Sequence, residues 1–196
     1  IYDSTISNYA IGNRCLIDDV LRMECRHDSS FGEGVMVAAV NENGGRSVAI
    51  HRNLTSQQAY LMTMMRNRPQ MVERMMAMVE ALSQSHRSAI GRVEDNSSVV
   101  GARFIREVRI EEGCIIEGAS HLENGTVGRG AHVGIDVRAR DFIIDNDARV
   151  DGASSLVRSF VGENSVVDNG FTAIDTLMFA NCHFENGEAA SVFAGP

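Results

Sequence analysis

The chain has 196 residues, 44% of them hydrophobic, only 6% aromatic and none tryptophan, so it has enough apolar material for one core, mostly aliphatic. A formal charge of −8 argues against a nucleic-acid backbone or an acidic membrane surface as the main partner. No apolar run approaches the roughly eighteen residues of a membrane span. Cys15, Cys25, Cys114 and Cys182 have no CxxC spacing, which suggests neither a zinc site nor a disulfide framework but free thiols in a cytoplasmic setting. The chain begins at Ile1 and ends at Ala194-Gly195-Pro196, and reads as a fragment of a longer protein.

In chain order, apolar residues first recur at Ile6, Ile11, Ile17 and Met23, with Ser4 and Cys15 at the small positions two residues ahead of Ile6 and Ile17. The register slips at Asp28 and resumes imperfectly at Phe31 and Val37. Residues 41–46 (Asn-Glu-Asn-Gly-Gly-Arg) read as a tight turn between strands at 35–40 and 47–50. From Thr55 the period changes. Thr55 with Gln58 forms a capping-box pattern opening a helix to about Asn67, and Pro69 suits the first turn of a second helix. Met71, Met75, Met78, Val79 and Leu82 share one face at helical spacing. A helical hairpin over 55–85 therefore interrupts the β pattern and holds seven of the ten methionines. A methionine-rich face can be a binding surface, but its simpler role is to pack on the outside of the β structure.

From Val93 the steps are six, six and five: Val93, Val99, Ile105; Ile110, Ile116, Leu122; Val127, Val133, Ala139; Ile144, Val150, Leu156; Val161, Val167, Ala173; Met178, Phe184, Ala190. Chance fills such a preset register with a probability of about 4 in ten million. Two residues before most of these positions the side chain is small, as at Ser97, Cys114, Ser120, Ala131, Ala148, Ser154, Ser165 and Cys182. Residues two apart in a strand share a face, so each strand turns one large and one small residue inward. Three sides of six residues less one predict a triangular coil of seventeen, stacked as a parallel β-helix. Arg103 and Glu188 also fall on inward positions, as expected of frayed ends. An outward stripe, Ile143, Phe160 and Leu177, needs cover from the hairpin or from another subunit. The domain reading is 1–50 as N-terminal coils and hairpin, 51–92 as helical insertion and return, and 93–196 as regular β-helix in the same domain as 1–50.

The stretches Val-Gly-Arg-Gly-Ala-His-Val at 127–133 and Val-Gly-Glu-Asn-Ser-Val-Val at 161–167 resemble the aliphatic-glycine-x-x-small-x repeat of the transferase hexapeptide superfamily. The resemblance implies a left-handed coil and a homotrimer. Asn43-Gly44-Gly45-Arg46, Ser56-Gln57-Gln58-Ala59-Tyr60-Leu61 and Arg66-Asn67-Arg68-Pro69 look like a family of long bacterial proteins labelled by similarity as sugar-1-phosphate nucleotidyltransferases or hexapeptide transferases. This implies a β-helix domain linked to phosphosugar or sugar-nucleotide metabolism. The nucleotidyltransferase phosphate loop is not in this sequence.

The alternative is a hexapeptide acyltransferase, which needs a histidine base. His132, Arg149 and His183 fall on one outward track, and His121 with Arg138 on another, so His132 and His121 are the candidate bases and Arg149, His183 and Arg138 the candidate ligand-binding residues. The simpler role of such histidines is a solvated wall. The three-histidine metal site of β-helical carbonic anhydrases needs His-x4-His spacing, which does not occur, so no metal is expected, and no pattern names a cofactor. A non-catalytic trimeric scaffold is the third reading.

Overall fold

In the computed structural model, which describes residues 1–40 and 45–195, the chain is mostly β, with long parallel sheets and two helices. The architecture is that of a parallel β-helix. Ile115 and Ile116 pair with His132 and Val133, these with Arg149 and Val150, and these with Val166 and Val167, each step seventeen residues. These short strands belong to a seven-stranded sheet running from Leu16–Asp18 to His183–Glu185. Longer strands, Phe104–Ile110, His121–Val127, Arg138–Ile144 and Ser155–Val161, form the centre of a twelve-stranded parallel sheet at the same spacing. Each long strand bends at its fourth residue: Glu107, Asn124, Asp141 and Arg158 have φ of 53°, 48°, 56° and 45°. Asn and Asp tolerate this left-handed region better than most side chains.

The repeat is the core. From Val93 to Met178 no inward position is more than 2% exposed. Two details depart from the expected register. Ala119 rather than Ser120 fills its corner, and Ala102 rather than Arg103. There Gly101 and Gly118 make the left-handed turn, whereas Asp136 and Ala153 make it on later coils, one residue further along, which turns Val137 and Ser154 inward. The last coil is shorter. Ala173 pairs with Ala189, a step of sixteen, so Ala189 is buried while Ala190 and Glu188 are exposed. Cys15, Cys114 and Cys182 are free thiols, with Cys114 buried in the core.

The first residues extend both sheets: Ile6 pairs with Met23, Met23 with Ile105, and Ile17 with Val99. After the strand Arg22–Glu24 the chain leaves the coil, and it re-enters at Gly91–Val93, which pairs with Tyr9–Ile11 on one side and with Arg109 and Ile110 on the other. Phe31 and Val37 therefore lie in the excursion and not, as their spacing suggested, in the coil, because Gly91–Val93 already fills that place. Phe31 sits in a left-handed turn (φ 55°), and Val37 pairs antiparallel with Val48. Of the tight turn expected over 41–46, residues 41–44 lie outside the described residues.

Within the excursion, helix α1 spans Ser56–Met64 and helix α2 spans Pro69–His86. The capping box is present, with Gln58 N–H donating to Thr55 Oγ1 and Thr55 N–H to Gln58 Oε1, both at 3.2 Å. α1 ends three residues before Asn67, where Met65 N–H bonds to Leu61 O. Pro69 starts α2. The excursion covers the outward stripe within the same chain: Ile143, Phe160 and Leu177 form a second core with Val37, Val48, Ile50, Ala59, Met62 and Val79. Polar contacts fix it along the bend. Gly32 N–H donates to Asn124 Oδ1 (3.1 Å), Thr126 Oγ1 to Phe31 O (2.8 Å) and Ala38 N–H to Asp175 Oδ1 (3.3 Å). A Cβ at Gly32 would lie 2.4 Å from Phe142 O, so only glycine lets the loop come this close.

Candidate functional site

The residues singled out from the sequence occupy the outer walls of the coil. His132 and Arg149 are cross-strand neighbours, and Val166 separates Arg149 from His183. His121 neighbours Arg138 in the same way. Carboxylates on the same strands or just beyond them engage several of these groups: Arg149 with Asp151 at 2.7 Å, His183 with Glu185 at 2.7 Å and His121 with Glu123 at 3.2 Å. These five residues line none of the clefts described here.

The concave polar space lies where the excursion crosses the coil. The residue after each inward position on this side runs Glu94, Glu111, Gly128, Asp145, Gly162, seventeen apart and stacked through bonds such as Gly128 N–H to Ile144 O and Asp145 N–H to Val161 O, both 2.7 Å. Asp145 thus has a glycine on the coil to either side. Both glycines are required by packing: a Cβ on Gly128 would stand 2.7 Å from the Asp145 carbonyl carbon, and one on Gly162 would stand 2.8 Å from Ala180 N. The missing side chains leave the Asp145 carboxyl in an open notch.

Residues 51–55, between the strand Val48–Ala49 and α1, pass over this notch with the first residues of α1. Arg52 spans the gap, donating from Nε to Glu33 Oε1 and from Nη1 to Glu111 Oε1 at 2.8 Å. The Glu33 carboxylate is fully buried, and its other oxygen lies 2.8 Å from His86 Nδ1. One cleft of about 540 Å³ is lined by Arg52, Asn53, Asp145, Asn146, Phe160 and Glu163 among others. A second of about 270 Å³ shares Arg52, Asn53, Asp145 and Asn146 and reaches Glu111 and Thr126.

Electrostatics mark the same place. Burial pushes the Asp145 carboxyl from 3.8 up to about 6; the Asn146 N–H bond at 2.8 Å opposes this, and Glu163 and Glu111 add to it. Its proton therefore exchanges near neutrality, the condition for a general acid or base. Arg52 Nη2 is buried without a partner among the described residues, as are both ring nitrogens of the neighbouring His51. Burial lowers the His51 pKa, against the opposing pull of Glu33. The site thus offers a titrating carboxyl, two further carboxylates and two amides. That set suits a ligand rich in hydroxyls. The described residues contain no grouping of three or more His, Cys, Asp or Glu side chains fit to hold a metal ion.

Sequence reasoning missed this site. A carboxyl flanked by two glycines on one seventeen-residue track is visible in the sequence, but the crossing of Arg52 over Glu111, 59 residues away, is not.

The family model described as a domain of unknown function, DUF4954, matches residues 2–196. The chain belongs to this family. A protein of Treponema pallidum (strain Nichols), named "Uncharacterized protein", is 26% identical to it over 133 residues, which covers 62% of this chain and 18% of that protein. The chain thus spans under a fifth of that relative's length. No solved structure matches it significantly. Among the described residues no helix is long and apolar enough to cross a membrane.

Proposed function

We propose that this DUF4954 chain is the sugar-binding part of a transferase-like protein linked to phosphosugar or sugar-nucleotide metabolism. In this reading it is a left-handed hexapeptide-type coil of triangular section that works as a cytoplasmic homotrimer, as its resemblance to the hexapeptide transferases implies. Asp145 carries the proposal. A carboxyl that titrates near neutrality, flanked by glycines on both sides and set beside Asn53, Asn146 and Arg52, can accept a hydrogen bond from a sugar hydroxyl. The cleft's carboxylates favour the hydroxyl face of the ligand over its phosphate.

The acyltransferase reading is second. The cross-strand neighbours His132 and Arg149 favour it, because a base beside a cation suits an acyl donor that carries phosphate. Calorimetry with hexoses, hexose 1-phosphates, sugar nucleotides and acetyl-CoA separates the two. Binding of a sugar ligand that is lost in Asp145→Asn is the expected result. Binding of acetyl-CoA alone, lost in His132→Ala, would replace it with the second reading, and no binding of any probe would leave the scaffold.

A further inference from the structure

The hairpin carries a second apolar face that the fold covers only in part: Met71, Met75 and Leu82 are half-buried and Met78 is exposed. Towards the coil α2 buries Val79 and Ser83. Met71, Met75, Met78 and Leu82 form a different stripe, at i, i+4, i+7 and i+11, the spacing of a helix that packs against another helix. An open groove of about 650 Å³ runs beside it, lined by Arg68, Met71, Arg74, Met75 and Met78. Met78 is 55% exposed, and on α1 Tyr60 is 52% and Met64 48% exposed. The coil's outward stripe is sealed mainly by Ala59, Met62 and Val79 with the antiparallel strand pair, and Met75 packs against the edge of this second core, which leaves Met71, Met78 and Leu82 outside it.

We propose that this groove docks an amphipathic helix of a partner protein, apolar on one side and flanked by carboxylates. Three features select that occupant. The stripe is spaced for a helix and extends over about 16 Å, three turns. Its unbranched, polarisable methionines adapt their shape to an incoming apolar face. Arg68 and Arg74 make the rim basic in a chain whose formal charge is −8, so flanking carboxylates find their complement here and lysines do not. A second copy of α2 would bring the same arginines and a stripe without carboxylates.

The probe is a fluorescein-labelled synthetic peptide of about 16 residues with leucines at coiled-coil spacing and glutamates beside them. Its control carries lysines for the glutamates. Fluorescence anisotropy should show saturable binding of the glutamate peptide. Binding should be about tenfold or more weaker for the lysine peptide and for the Met75→Glu/Met78→Glu double variant. Arg74→Glu, on the rim, should invert the preference between the two peptides, which keeps the test sharp should the double variant fold poorly. No saturable binding, equal binding of both peptides, or an Arg74→Glu protein with unchanged preference would overturn the proposal. So would light scattering that shows an oligomer which Met75→Glu/Met78→Glu dissociates, since the groove would then belong to a second copy.

Discussion

Replacing Asp145 by Asn should make the protein more stable while removing its ligand. The carboxyl is partly buried, and its pKa rises from 3.8 to about 6 on folding. Between those values the folded state binds more protons than the unfolded state, so stability falls as pH rises through the window, and the full penalty is present above about pH 6. Two pKa units correspond to at most ~3 kcal/mol, and screening of a partly exposed group reduces this to ~1–2 kcal/mol. The Asn side chain keeps the shape and can still accept the Asn146 N–H bond through its Oδ1. Urea denaturation from pH 4 to 8 is the assay. The variant should exceed the native protein by ~1–2 kcal/mol at pH 7.5 and match it near pH 4. A native protein that is the more stable at pH 7.5, or a gap that does not change with pH, would refute the reasoning. Stability gained while sugar binding is lost is the signature of a group kept for function.

Three further outcomes follow from the packing. Arg52→Met strands the buried Glu33 carboxylate with His86 alone, so it should cost ~2–4 kcal/mol. Hydrogen exchange should quicken in α1 and α2 while the strands from Ser98 to Asp168 stay protected, and uniform loosening would contradict this. Phe160, 1% exposed and 5.5 Å from the Phe179 ring, should cost ~3–5 kcal/mol on truncation to Ala, and a loss under ~1 kcal/mol in urea denaturation would show the second core to be misplaced. Gly128→Ala puts a methyl 2.7 Å from a backbone carbon that has no rotamer to escape into, so Tm should fall by an amount equivalent to ~1–3 kcal/mol.

The coil was legible because its signal repeats every seventeen residues, and each aliphatic residue lies over another of its kind, as Ile116 lies beside Val133 and Val133 beside Val150. The helix start was legible because the bonds between Thr55 and Gln58 are local. The point where the chain leaves the coil was not. Phe31 and Val37 imitate the repeat, and only the return of Gly91–Val93 to the same sheet shows their places taken. Ser120 and Ala119 are both small, so the sequence could not tell which one fills the corner. The cleft was the least visible feature. His121 and His132 stand out in a string of letters because histidine is rare, yet they sit on flat walls. Asp145 is one carboxylate among many until the Arg52 segment folds across it and partly buries it in a cleft.

All of this depends on coils that stack in parallel with the Asp145 notch between them. Couplings through hydrogen bonds, recorded between amide nitrogens and carbonyl carbons on a deuterated sample, test that stacking directly. Correlations are expected from Gly128 N to the Ile144 carbonyl, from Asp145 N to Val161 and from Gly162 N to Met178. Correlations from these amides to other carbonyls, in an antiparallel order or a shifted register, would contradict the account.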